Sequence, residues 1–174
     1  LLNAELSSKG DMIGGNIRVG GAFQGGNRQD YTTDNEYFGF VNRFGKIPEI
    51  TNAKQTYVDK NSTIDISSKN GSGGTAVIWS EKVTDYQGSI QANGHFDTDE
   101  QKFKNGGFVE ISSKENLRTV DLTNTYVKGG HLLLDPKNIT ISSNTSDGLI
   151  AQKYSGYFAD NFDNFTTTES DSRF

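Results

Sequence analysis

The sequence predicts an all-β protein that folds as a right-handed parallel β-helix, a solenoid of stacked coils. Four times a glycine pair precedes a short run whose second and fourth residues are apolar. The pairs are Gly14-Gly15, Gly73-Gly74, Gly106-Gly107 and Gly129-Gly130. Alternation with a period of two is typical of a strand with one buried face, and its recurrence behind the same turn indicates repeated coils. Only 32% of the 174 residues are hydrophobic, which suits a narrow solenoid that buries half of each strand.

Each of these strands has a partner strand upstream, and the two together give a coil of roughly 22 to 26 residues. The predicted inward residues of the upstream strands are Ala4/Leu6, Ile64/Ile66, Ile90/Ala92 and Val120/Leu122. Those after the glycines are Ile17/Val19, Ala76/Ile78, Val109/Ile111 and Leu132/Leu134. The glycines are expected to make tight bends in which a positive φ is often needed. An antiparallel sandwich is the alternative fold.

Two segments interrupt the coils, which extend over residues 1–142. Residues 22–54 carry aromatic side chains among polar ones and are predicted to form an insertion outside the helix. Residues 143–174 form an irregular tail, either one more coil or a linker. A smaller polar insertion, His95 to Lys104, is expected at a corner.

The composition makes some classes of binding partner unfavourable. The net charge is −5 and no basic patch stands out, so nucleic acid is an unfavourable partner. No apolar run approaches the roughly 20 residues of a membrane helix, so the chain is not expected to span a membrane. The chain opens directly into the strand pattern, without a starting Met or signal peptide, and is therefore expected to be a piece of a longer protein.

Several blocks, taken in order, resemble the filamentous-haemagglutinin family of exoproteins secreted by the two-partner route, and most of all its high-molecular-weight adhesins. They are Thr63-Ile64-Asp65-Ile66-Ser67, Gly73 to Ser80, Gly88 to Gly94, Gly106 to Ser113 and Leu132 to Ile141. The resemblance covers residues 4–142. The family's secretion domain with Asn-Pro-Asn motifs is absent, which would put this piece downstream of it.

The resemblance implies a secreted protein of the bacterial cell surface, exported through an outer-membrane transporter. It implies a β-helical rod for attachment to host cells or matrix, with a host glycan or protein as receptor. Two alternatives stay open: a passive stalk in a contact-dependent toxin exoprotein, and a β-helix enzyme that degrades polysaccharide.

No residues form a recognisable catalytic motif, so we do not expect an enzyme, and no cofactor or metal is expected. Asp65, Glu110 and Asp121 fall on outward strand positions, where a solvated face is favoured over an acid/base pair. Glu110 is therefore expected to tolerate substitution. His95 and His131 lack a second ligand at metal spacing. Asp97-Thr98-Asp99-Glu100 is favoured as a charged corner loop over a calcium site.

Outward aromatic residues are candidates for contact with a ligand. Trp79 is expected to point outward beside Val77, where it either forms an apolar platform or is covered by the 22–54 insertion. Tyr31, Tyr37 and Phe38 have the same two interpretations. The family is glycosylated at Asn-x-Ser/Thr sites, so the resemblance also implies candidate modification sites, at Asn61, Asn70, Asn138, Asn144 and Asn164.

Overall fold

The computed structural model describes residues 1–26, 50–119, 122 and 124–141. Within these ranges the chain forms fourteen short β-strands and one tight turn, Phe23–Gly26. In chain order the strands are β1 Glu5–Ser7, β2 Asn16–Val19, β3 Gln55–Val58, β4 Thr63–Asp65, β5 Thr75–Ile78, β6 Val83–Tyr86, β7 Ser89–Gln91, β8 His95–Asp97, β9 Lys102–Lys104, β10 Phe108–Ile111, β11 Asn116–Thr119, β12 Thr125–Tyr126, β13 His131–Leu133 and β14 Asn138–Ile141.

Twelve of these strands form three parallel, four-stranded sheets. Sheet A has the order β1-β4-β7-β12, sheet B β2-β5-β10-β13, and sheet C β3-β6-β11-β14. The chain visits the sheets in the order A, B, C four times, and each visit to all three is called a pass. Equivalent residues of successive passes are hydrogen-bonded neighbours, as in the sheet B row Ile17, Ala76, Val109 and Leu132. The predicted all-β fold with parallel sheets is confirmed, and the antiparallel sandwich is wrong.

The predicted inward residues form the core. Ile64, Ile66, Ile90 and Ala92 from sheet A and its corner are buried, together with Ala76, Ile78, Val109 and Ile111 from sheet B. Leu6, Ile17, Val19, Leu122, Leu132 and Leu134 are partly buried against this cluster. Val120 lies outside the described residues.

Sheet C was not predicted, because its inward positions are partly polar. Thr56, Thr84 and Thr119 occupy positions where the other sheets carry aliphatic residues. The Thr84 hydroxyl donates a hydrogen bond to the Ser112 carbonyl oxygen at 2.6 Å, and the Thr56 hydroxyl donates to that of Trp79 at 2.8 Å. Thr56 and Thr84 can be buried here because a corner carbonyl oxygen accepts from each hydroxyl. A polar residue at these inward positions removes the apolar alternation from the sequence.

The glycine pairs are required by close backbone approach rather than by φ. A Cβ on Gly107 would lie 2.3 Å from the Gly74 oxygen, and one on Gly130 would lie 2.1 Å from the Gly107 oxygen. Among the pair glycines only Gly129 has a positive φ, 73°. The expectation of positive φ was therefore wrong for most of them: the pairs stack on one another, and a side chain would separate the passes.

The insertion at His95 to Lys104 is confirmed as an antiparallel hairpin of β8 and β9. It leaves the third pass between sheets A and B. The segment from β2 to β3 is described only at its ends, residues 20–26 and 50–54. The chain divides into two units, Leu1–Ile141 and Ser142–Phe174, and the described residues belong to the first.

Candidate contact surfaces

Aromatic rings of the β8–β9 hairpin and of the fourth pass form a partly exposed cluster around a lysine. The Phe96 and Phe103 rings meet edge to face, with centroids 5.0 Å apart. The Lys128 ammonium lies 5.0 Å from the Phe103 centroid and 5.9 Å from that of Tyr126. Phe96 and Tyr126 remain 38% and 40% exposed. We call these four residues the aromatic–lysine cluster.

The cluster is held in place by backbone contacts with the passes on either side. The His95 amide donates to the Gly71 oxygen of the second pass at 2.8 Å. The Lys128 amide donates to the Asn93 side-chain oxygen at 3.2 Å, which ties the third pass to the fourth. The rings are therefore displayed on a fixed framework, which lowers the entropy cost of binding.

The hairpin turn neutralises its own carboxylates. Asp97 accepts hydrogen bonds from the amides of Asp99 and Glu100 at 2.9 and 3.0 Å. The Lys104 ammonium lies 2.6 Å from the other Asp97 oxygen and also contacts Glu100. These contacts, with Lys104 first, lower the pKa of Asp97 to about 2. The turn is thus a charged corner loop in which Lys102 and Lys104 pair with the Asp97 and Glu100 carboxylates.

Trp79 is covered by residues 20–26, which we call the cover. The indole is 6% exposed. It packs so tightly against the cover that a Cβ on Gly25 would lie 2.5 Å from its Cζ2 atom. Asn52 closes the cover by accepting from the Ala22 amide at 3.2 Å and donating to the Gly25 oxygen at 2.8 Å. Trp79 therefore does not present a ring to a ligand; Tyr31, Tyr37 and Phe38 lie outside the described residues.

Glu110 departs most from expectation. It points away from the core as predicted, but it is fully buried rather than solvated. The Gln24 amide donates to its two carboxyl oxygens at 3.0 and 3.2 Å. Burial raises the pKa of Glu110 to about 8, and the nearby Asp135 carboxylate adds to this rise, while the Gln24 amide and the Ser112 hydroxyl oppose it. The prediction of a solvated side chain, on which the expected tolerance of Glu110 rested, is therefore wrong.

Asp65 and the two histidines lie on three different strands, β4, β8 and β13. Asp65 lies on sheet A, where it accepts from the Ser67 amide at 3.0 Å and pairs with Lys9 at 3.6 Å. Asp121 lies outside the described residues. His131 is exposed at the start of β13, whereas His95 begins the hairpin. Among the described residues no group of three or more His, Asp or Glu side chains could hold a metal ion.

Three of the five sequons are described, and their surroundings differ. Asn61 is exposed at the turn between β3 and β4. The Asn70 amide donates to the Asp11 carboxylate at 2.8 Å. The Asn138 amide donates to the Glu115 carbonyl oxygen at 3.2 Å and to the Asn116 side chain at 3.4 Å. Asn144 and Asn164 lie outside the described residues.

Sequence reasoning missed the aromatic–lysine cluster and the role of Glu110. Tyr126 ends a strand of only two residues and Lys128 follows it, and so short a strand shows no alternation in the sequence. Phe96 and Phe103 flank the polar turn at positions that pair across a hairpin. That spacing was a usable signal, because two aromatic residues on one hairpin face form a cross-strand pair.

No protein-family model, no curated protein and no solved structure matches this chain. In the part of the chain that the structure describes, no helix combines the length and apolar character needed to cross a bilayer. The stacked passes, the aromatic–lysine cluster and the sequence blocks that resemble a family are the basis on which a function is proposed.

Proposed function

We propose that this chain is a segment of a large secreted bacterial surface adhesin, in which it forms a rigid right-handed β-helical rod for attachment to host cells or matrix. The observation that carries the proposal is the in-register stacking of the four passes. Each pass adds one strand to each of three sheets, about 4.8 Å further along the stack. Since the strands of each pass pair only with strands of the neighbouring passes, the same rule can build a rod of any length.

Export through an outer-membrane transporter belongs to the same proposal, on the strength of the family resemblance. The chain contains no cysteine. A cysteine-free chain can cross an oxidising periplasm unfolded, because no disulfide can form there prematurely.

The aromatic–lysine cluster is the proposed contact surface. Aromatic rings stack on the apolar faces of sugars and on apolar side chains of proteins, and they are enriched where proteins bind partners. The Lys128 ammonium beside two rings supplies a hydrogen-bond donor within the same patch. This chemistry suits a host-cell glycan or protein receptor.

The test is binding of the labelled chain to epithelial cells, to matrix proteins and to a glycan array. The Phe96→Ala/Tyr126→Ala double variant removes the two exposed rings of the cluster. Tyr57→Ala is the matched control, because Tyr57 is 44% exposed on sheet C, away from the hairpin. We expect the double variant to lose binding and the control to retain it.

Other outcomes separate the alternatives. Loss of binding on substitution of Tyr31, Tyr37 and Phe38 instead would move the contact to the 22–54 insertion. A chain that binds nothing in any format would favour a passive stalk. Release of reducing ends from a polysaccharide would favour the enzyme and would end the adhesin proposal.

A further inference from the structure

Glu110 lies on the face of its sheet that points away from the core, yet it is buried. Burying a carboxyl group without a cation beside it costs free energy, so the arrangement needs an explanation. Glu110 lies on the opposite side of β10 from Val109 and Ile111, which face the core. Its neighbours in register are Val77 on β5 and Leu133 on β13. Water is excluded from this outward side by the cover, so the cover and the carboxyl depend on each other.

The cover reaches Glu110 through an unusual backbone conformation. Gln24 has φ 46° and ψ 32°, and Gly25 has φ 75°, so both are left-handed. For a non-glycine residue this conformation is uncommon, and it persists where surrounding contacts hold it. Here it aims the Gln24 amide at the carboxyl, while the Phe23 ring meets Phe108 edge to face with centroids 5.5 Å apart.

The charges around the carboxyl favour its protonated form. The cover itself, Gly20 to Gly26, has no titratable side chain. Beyond β13 the Asp135 carboxylate repels a negative Glu110, and the Ser112 hydroxyl, just after β10, is its polar neighbour. Arg18 on β2 belongs to the same row but lies two strands away, across Val77. Losing the proton therefore places a charge in a dry site beside another carboxylate.

We propose that Glu110 is a proton-controlled latch that holds the cover on sheet B, and that loss of its proton releases the cover and exposes Trp79. Protonated, the carboxyl accepts from Gln24 and stays dry. Ionised, it regains water only if the cover opens. Among the described residues, opening breaks the Gln24 and Asn52 hydrogen bonds, the packing on Trp79 and the contact of Phe23 with Phe108. The raised pKa of Glu110, about 8, puts the transition just above neutrality.

Trp79 is the only tryptophan in the chain, so its fluorescence reports on the cover. Iodide quenching is measured from about pH 6 to about pH 9.5 on the whole chain, on Glu110→Gln and on Glu115→Gln. In Glu110→Gln the side chain keeps an oxygen that can accept from the Gln24 amide, but it cannot ionise. Glu115→Gln is the control, because Glu115 is an exposed glutamate shortly after β10. We expect quenching to rise several-fold around pH 8 in the unmodified chain and in Glu115→Gln, and to stay low in Glu110→Gln.

A flat profile in the unmodified chain, or the same rise in Glu110→Gln, would overturn the proposal. If Glu110→Gln does not fold, hydrogen exchange of the unmodified chain decides. The amide exchange rate of any chain rises with pH. Above pH 8, peptides of the cover must exchange faster than this general rise explains, while peptides of β7 must stay protected. Loss of protection in both, or loss of the far-ultraviolet circular dichroism in parallel, would mean that Glu110 controls folding as a whole and not a latch.

Discussion

The carbonyl oxygen of Gly74 lies 2.3 Å from the position that a Cβ on Gly107 would occupy, one pass further along the chain. The same oxygen accepts the Phe108 amide at 2.9 Å, which fixes the distance between the passes. No side chain on residue 107 can be accommodated without moving backbone, so the glycine is required by stacking.

Gly107→Ala should therefore destabilise the fold by more than the usual cost of a surface substitution. Separating the passes would weaken the backbone ladder and the contact between Val109 and Ala76, so we expect a loss of about 2 kcal/mol or more. Urea unfolding followed by circular dichroism measures it. Glu5→Ala, at an exposed position of β1, is the control and should change stability by no more than about 0.5 kcal/mol. Equal midpoints for the two variants would contradict the stacking explanation.

Ile111 and Glu110 lie side by side on opposite faces of β10, and the sequence predicts opposite tolerance for them. The structure predicts that substitution of either residue destabilises the fold. Ile111→Asp puts an unpaired charge in the core and should cost several kcal/mol. Glu110→Ala leaves the half-buried Gln24 amide without its acceptor and should cost about 1–3 kcal/mol near pH 6. Both are measured as free energies of unfolding.

The exposed Glu115→Ala is the matched control for Glu110→Ala. If the two glutamate variants unfold at the same denaturant concentration, then Glu110 is solvated in solution and the cover does not seal it. If Ile111→Asp is as stable as the unmodified chain, the assignment of the inward face is wrong.

The sequence was enough to predict which face the alternating aliphatic residues bury. It was not enough to predict the contacts that distant residues make with the strands. Ile64 and Val109 sit in period-two runs, so local sequence alone fixes the face they bury. Thr84 is equally buried, but its hydroxyl is satisfied by a corner carbonyl that no local pattern reveals. Glu110 is sealed by Gln24, which is 86 residues away in the sequence. The pattern along one strand carries no information about a partner that a distant segment of the chain supplies.

The stability of the chain should fall as pH rises towards 8. The folded pKa of Glu110 is raised from 4.5 to about 8, so its contribution is fully present below the unfolded value and is lost as pH rises through the folded one. The loss should be on the order of a few kcal/mol, or less where opening of the cover relieves the charge. Urea unfolding of the unmodified chain and of Glu110→Gln at pH 5, 7 and 9 measures it, and parallel profiles would contradict the assignment.

The described sequons should differ in their capacity to carry a glycan. A glycan is joined through the side-chain amide nitrogen, which in Asn138 donates to Glu115 and Asn116 of the preceding pass. Asn61 is exposed at a turn, and the Thr63 that completes its sequon is exposed as well. In chain recovered from its host, peptide mapping by mass spectrometry should find the modification on Asn61 and not on Asn138. Asn61→Gln should remove that mass. Both side chains are exposed, so a glycan on Asn138 with Asn61 bare would mean that hydrogen bonding of the side-chain amide in the folded chain does not select the site.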